Sequence, residues 1–135
     1  INDLVVEDIT VPCGRLTTHV LDLSRGIPAA GLSLQLWRIN NEFNELLCEA
    51  VTNGEGRLKS PLLEGSEMKS GCYELLFMAG DYFRRTSVEA VSNSDASTLF
   101  FLEQIPIRFN ISDPMDHYHV PLLVAPGGYS TYRGS

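Results

Sequence analysis

Short runs in which apolar and polar side chains alternate, separated by turn residues, constrain this chain more than any other sequence feature. In residues 16–22, LTTHVLD, positions 16, 18 and 20 share one face because successive side chains of a strand point to opposite faces. Similar runs occur at 32–37, 45–52, 71–79, 105–111, 118–124 and 129–133. Residues 81–85, DYFRR, have the charge pattern of one short helix. The sequence therefore predicts an all-β fold, an antiparallel two-sheet β-sandwich of about eight strands with one short helix.

Turn residues divide these runs and set the predicted domain organisation. Residues 53–56, NGEG, predict a hairpin turn with Arg57 directly after it, and Pro126-Gly127-Gly128 predicts a second hairpin. Residues 24–28 are predicted as a turn, and residues 61–69 and 92–97 as loops. Residues 1–15 show no clear period and are interpreted as an N-terminal arm or linker. Residues 16–135 are predicted to form one domain.

Charge, apolar content and cysteine usage limit the classes of partner and the compartment. The formal net charge of −7 argues against nucleic acid or an anionic membrane as a partner. No apolar run approaches the roughly 20 residues that span a bilayer. No signal peptide is visible, although a removed one stays open because the sequence does not start with Met. Three widely spaced cysteines favour reduced thiols and a cytoplasmic location, with the periplasm or peroxisome, and a Cys13–Cys48 or Cys48–Cys72 bridge, as alternatives.

Histidines on two of the predicted strands are the first candidates for chemistry. By the alternation of side chains, His19 and His119 both point away from the apolar face of their strand, and Leu21 and Leu123 point the same way. A face that mixes His with Leu is typical of an interface or a cleft, whereas the alternative is a pair of ordinary surface histidines. A metal site at His117-x-His119 is a weaker interpretation because a third ligand is missing.

Four motifs, taken together, resemble a known family. They are LTTHVLD at 16–22, TNGEGR at 52–57, HYHVPLL at 117–123 and GYSTYRGS at 128–135. In this order they are similar to the transthyretin-related 5-hydroxyisourate hydrolases, and the resemblance covers residues 16–135. The YRGS ending is the feature that separates these enzymes from transthyretin, the thyroid-hormone carrier of the same family.

The resemblance implies a transthyretin-like sandwich that assembles as a homotetramer, a dimer of dimers, with active sites in the channel between dimers. It implies hydrolysis of 5-hydroxyisourate in urate degradation, with no cofactor, no metal, and no nucleic-acid or membrane partner. An alternative is a transthyretin-like carrier that binds a ligand in the same channel. The residues implied as catalytic are His19, Arg57, His119 and Ser135, and those implied as substrate-binding are Tyr132, Arg133 and Gly134. Either His19 or His119 would act as general base, and Arg57 would stabilise the substrate carbonyl.

Overall fold

The computed structural model describes residues 13–86 and 98–135 and folds them into two β-sheets packed face to face. The first sheet has the order β2-β1-β8-β9, with β5 also paired to β1; its strands are β1 (Arg15–Asp22), β2 (Ile27–Pro28), β5 (Leu63–Glu64), β8 (His117–Ala125) and β9 (Gly128–Thr131). The second has the order β4-β3-β6-β7; its strands are β3 (Ser33–Ile39), β4 (Asn44–Val51), β6 (Gly71–Phe77) and β7 (Ile105–Ile111). A single α-helix within these ranges, α1 (Ala79–Thr86), follows β6, and a 3-10 turn spans Gly65–Glu67.

The core lies between the two sheets and is built from alternate residues of each strand. On β1, the inward residues Leu16, Thr18 and Val20 are buried, and the residues between them are half-buried. Strands of the opposite sheet and the neighbouring strand β8 contribute further buried side chains, among them Leu34, Leu36, Leu75, Phe77, Leu122 and Val124. Burying this continuous apolar layer is the main favourable term for folding. The predicted two-sheet sandwich is confirmed.

The pairing of β1 with β8 is parallel, which the sequence-based prediction of an antiparallel fold missed. The two strands run side by side over the full length of β1, and the register places Thr17 opposite His119 and His19 opposite Pro121. All the other strand pairs within the described residues are antiparallel. A tight hairpin forces antiparallel pairing, but β1 and β8 are separated in the chain by the whole second sheet. No local sequence signal therefore fixes their relative direction.

Several predicted boundaries also shift by a few residues. Residue 15 begins β1, while most of the proposed N-terminal arm and the predicted loop at 92–97 lie outside the described residues. The run at 71–79 ends as a strand at residue 77, because Ala79 already begins α1. Residues 24–28 include the short strand β2, and the loop predicted at 61–69 contains β5 and the 3-10 turn. The predicted helix at 81–85 is confirmed and is longer by two residues at its start and by one at its end.

A buried carboxylate joins α1 to β1. Tyr82 Oη donates a 2.8 Å hydrogen bond to Asp22 Oδ2, and Arg25 donates both to Asp22 and to Tyr82 Oη. Burial alone raises the pKa of Asp22, but hydrogen bonds from Ser24, Tyr82 and Arg25 outweigh it and hold the pKa below its usual range. The ionised carboxylate is thus part of the folded structure, and it fixes the end of β1 that follows His19.

All three cysteines are free thiols, so neither of the two disulfide alternatives forms. Cys48 and Cys72 lie half-buried on β4 and β6, where neither is paired with the other across the sheet. Over residues 13–86 and 98–135, no helix has both the length and the apolar character to cross a membrane.

Candidate active site

The outer face of the first sheet, which points away from the core, carries the two histidines that the alternation of side chains along the strands placed there. Thr17 and His19 on β1 and His119 on β8 are half-buried there, while Thr18 and Val20 between and beside them are buried in the core. The predicted outward direction of His19 and His119 is confirmed. The parallel register then sets which of these side chains are neighbours, because each residue of β1 faces one of β8 directly.

His119 is held by a hydrogen bond that the sequence analysis did not anticipate. Its Nδ1 lies 2.8 Å from Thr17 Oγ1, its direct partner in the parallel register. Burial lowers the pKa of His119 below its usual value, and electrostatic interactions with Arg57 and His19 lower it further. The imidazole is therefore neutral at neutral pH. Its Nε2 has no hydrogen-bond partner within the described part of the chain.

A tight turn brings Arg57 beside His19. Gly56 N donates to Asn53 O at 2.9 Å, and Gly56 O accepts from Val20 N of β1 at 2.8 Å. Gly56 has a φ of 76°, and a Cβ on it would lie 2.3 Å from Val20 O, so only glycine fits. The predicted turn at 53–56 is present, but it leads across to the first sheet instead of forming a hairpin within the sheet of β4. That crossing makes a β-bridge between His19 and Arg57.

The same turn determines which ring nitrogen of His19 carries the proton. His19 Nε2 lies 2.9 Å from Glu55 O. A carbonyl oxygen only accepts hydrogen bonds, so Nε2 carries a proton and donates it. In the neutral ring, Nδ1 is then the nitrogen with the free lone pair. His19 thus presents a fixed tautomer, and the backbone of the Arg57 turn selects it.

The residues after β9 return to His119. The hairpin at Pro126 and Gly127 pairs Ala125 with Gly128, which confirms the predicted turn. Gly134 N donates to His119 O at 2.7 Å, and the two residues form a β-bridge. A Cβ on Gly134 would lie 2.7 Å from His119 Cδ2, so the imidazole packs directly on the Gly134 backbone. Ser135 is exposed and follows Gly134, which places it within one residue of this contact.

Tyr132 and Arg133 take different positions from Gly134. The Arg133 guanidinium lies 4.2 Å from the centroid of the Tyr118 ring, and its Nη2 donates to His117 O at 2.9 Å. Tyr132 is 61% exposed. Both line a cavity of about 350 Å³ at the edge between β7 and β9, together with Ile107, Phe109 and Val120. The structure thus brings together His19, Arg57, His119 and Gly134, whereas Arg133 anchors the returning segment to β8.

The charges of this face are suited to activating water. A neutral imidazole with one unoccupied ring nitrogen lies within electrostatic range of a guanidinium and of a second imidazole. Across residues 13–86 and 98–135, no three His, Cys, Asp or Glu side chains come together in a cluster that would hold a metal ion. The described residues therefore offer acid–base chemistry and electrostatic stabilisation of an anion.

A two-sheet sandwich with an imidazole, a guanidinium and a second imidazole on the outer face of one sheet defines a transthyretin-like protein with a polar site. The family model described as the HIUase/transthyretin family matches residues 16–134. The chain belongs to this family.

Relatives named as enzymes match about nine-tenths of the chain. The chain is 55% identical over 124 residues to a 5-hydroxyisourate hydrolase of Halalkalibacterium halodurans. The aligned region covers 90% of this chain and 98% of that relative. It is similar to the solved 5-hydroxyisourate hydrolase of Klebsiella pneumoniae, with 36% identity and a TM-score of 0.71 over 90% of this chain and 99% of that one. It is also similar to a crystal structure of (S)-allantoin synthase, with 46% identity and a TM-score of 0.79 over 92% of this chain. The chain spans 44% of the length of that protein.

Proposed function

We propose that this protein hydrolyses 5-hydroxyisourate to 2-oxo-4-hydroxy-4-carboxy-5-ureidoimidazoline, a step of urate degradation. The observation that carries the proposal is the convergence of His19, Arg57 and His119 on one outer face. Relatives named as 5-hydroxyisourate hydrolases at up to 55% identity support the choice of substrate. Hydrolysis of a cyclic amide needs a base for water and a positive group for the developing oxyanion, and this face supplies both.

His119 is the general base of the proposed reaction. Its lowered pKa keeps the ring neutral. In this proposal Nδ1–H donates the hydrogen bond to Thr17 Oγ1, which leaves the lone pair of Nε2 to accept a proton from water. Nε2 takes a proton from water while the water oxygen attacks the ring carbonyl carbon. The C–N bond of the six-membered ring then breaks, and the nitrogen receives the proton from His119. The resulting carboxylic acid ionises, so that one water is consumed and one carboxylate is formed.

Arg57 and His19 act on the substrate side of this step. The Arg57 guanidinium stabilises the negative charge that develops on the attacked carbonyl oxygen, and it is always charged at neutral pH. The same charge keeps the His119 imidazole neutral and able to accept a proton. His19, with Nε2–H committed to Glu55 O, offers Nδ1 as an acceptor that orients water or a substrate N–H.

The segment after β9 completes the proposed site. Gly134 supports the His119 ring through its backbone, and Ser135, one residue further, helps to position water. Tyr132 and Arg133 contribute to substrate binding in this proposal, with Arg133 holding the segment against Tyr118. The proposal includes a homotetramer whose central channel contains this outer face. Strands β7 and β9 lie at open edges of their sheets, which is consistent with association between copies.

The proposed activity is tested with substrate generated from urate by urate oxidase, while the ultraviolet absorbance of 5-hydroxyisourate is followed. The protein is expected to accelerate its decay, and His119→Ala to abolish most of that acceleration. His117→Ala is the matched control, because His117 is an exposed imidazole on the same strand and the same face. Decay no faster than the spontaneous rate would refute the enzyme assignment. Light scattering tests the tetramer, and a monomer would refute that part.

A further inference from the structure

A second concave feature adjoins the candidate active site on the side away from Gly134. It is a cavity of about 230 Å³ between the start of β1 and the chain that follows the Arg57 turn. Three cationic side chains line it, Arg15, Arg57 and Lys59, together with the hydroxyl-bearing residues Thr17 and Ser60. Thr17 is also the hydrogen-bond partner of His119, so this cationic cavity begins directly beside the proposed general base.

The three cations have no ion-pair partner in the described part of the chain. Every salt bridge found there involves Arg25, Arg84, Arg108 or Arg133. Glu64 stands opposite Arg15 in the β1–β5 register, yet its carboxylate is not within 4.0 Å of the guanidinium. Among residues 13–86 and 98–135, no acidic side chain lines the cavity. The whole chain has 17 acidic and 10 basic residues, so a cavity lined by three cations without an ion-pair partner among the described residues is opposite in sign to the net charge.

We propose that this cationic cavity is an anion subsite that receives the carboxylate formed by ring opening. The inference rests on the proposed function, because only the hydrolysis of a cyclic amide creates that group. The substrate carries an amide at the position where the product carries a carboxylate. Arg15, Arg57 and Lys59 bind this new negative charge, and Arg57 passes from stabilising the oxyanion to holding the carboxylate.

The position of the cavity explains how the charge would move. In the proposed reaction the attacked carbonyl is placed near His119 and Arg57. Arg57 lines the cationic cavity and also interacts electrostatically with His119. Opening of the ring removes one covalent constraint, which lets the carboxylate swing toward Arg15 and Lys59. Heterocycles that already carry a carboxylate are therefore expected to bind this protein better than neutral heterocycles of similar size.

The experiment measures binding without turnover, using orotate and uracil as probes in isothermal titration calorimetry. The two share a pyrimidine-dione ring, and only orotate has a ring carboxylate. The wild-type protein is expected to bind orotate at least about threefold more tightly than uracil, as expected for one or more exposed ion pairs. Lys59→Gln and Arg15→Gln are each expected to reduce this preference by about twofold or more, with uracil binding unchanged.

Lys69→Gln is the matched control, since Lys69 is an exposed lysine outside the cationic cavity and its loss changes the net charge equally. Equal affinity for the two probes, or an orotate preference that Lys69→Gln lowers as much as Lys59→Gln, would overturn the proposal. The hydrolysis assay is run on the same samples. An orotate preference that depends on Lys59 in a protein without hydrolase activity would refute the proposed function and retain the anion site.

Discussion

Replacing Thr17 with valine tests the contact on which the assignment of the general base depends. Valine has nearly the shape of threonine and is equally favourable in a strand, so β1 keeps its structure. Thr17 is half-buried on the outer face and contributes nothing to the core. The substitution therefore removes one interaction selectively, the 2.8 Å hydrogen bond between Thr17 Oγ1 and His119 Nδ1.

The size of the effect follows from the energy of one such bond. A hydrogen bond of this kind contributes about 0.5–1.5 kcal/mol net, so kcat/KM is expected to fall about twofold to twelvefold. The pH dependence gives a second readout. If Nδ1–H donates to Thr17, the bond favours the charged imidazole, and its loss lowers the pKa of His119 further. The decrease of kcat/KM at low pH, the acid limb of the pH profile, is then expected to move to lower pH.

The assay measures initial rates of 5-hydroxyisourate decay over a range of about pH 5 to 8, where an imidazole titrates. Thr131→Val is the matched control, because it removes a hydroxyl on the same sheet that donates to Pro121 O at 2.7 Å. A Thr17→Val rate equal to that of Thr131→Val would refute the positioning role. An acid limb that moves to higher pH would show that Thr17 donates to Nδ1, and Nε2 of His119 would then not be the base.

Three further substitutions test the structure independently. Gly134→Ala is expected to lower kcat at least about tenfold with folding intact, because the new Cβ meets the His119 ring, whereas a Cβ on Gly127 meets nothing within 4 Å and Gly127→Ala should be neutral. Equal rates for the two variants would contradict this. Arg57→Gln removes a charge that lowers the pKa of His119, so the acid limb should move to higher pH, and an unchanged limb would exclude the coupling. Asp22→Asn should lower the free energy of unfolding in urea by about 1–3 kcal/mol. Because the folded pKa of Asp22 is depressed, its contribution is present above the unfolded value of about 3.9 and is lost as pH falls through the folded pKa, a dependence that the variant should lack.

The sequence predicts the directions of the site residues well because side-chain direction in a strand is a local property. The alternation of Leu16, Thr18 and Val20 is enough to place His19 on the outer face, and the structure confirms it. The hairpin after β8 is equally local, since Pro126 and Gly127 determine it. The return of Gly134 to His119 then follows from the short distance along the chain.

Contacts that depend on non-local register are the ones that sequence reasoning does not reach. Thr17 is an unremarkable strand residue until the parallel β1–β8 pairing places it opposite His119. The contact of the Arg133 guanidinium with the Tyr118 ring was also not predicted, because the motif gives no information on how the segment after β9 packs on β8. The cationic cavity requires Arg15, on β1, and Lys59, in the segment after the Arg57 turn, to lie side by side although they are 44 residues apart in the chain (59 − 15), and periodicity carries no information on such pairs.

The register of β1 against β8 links the stability of this protein to its chemistry. Tyr118 and Val120 bury their side chains in the core, and His119 between them points out only because the period of a strand is two residues. A slip of one residue would place the His119 imidazole in the core and expose its apolar neighbours, at a cost of several buried side chains. The apolar contacts that stabilise the sandwich therefore also hold His119 opposite Thr17. The alignment that favours folding is thus the alignment that the proposed base requires, and Thr17 and Gly134 then position the His119 ring within it.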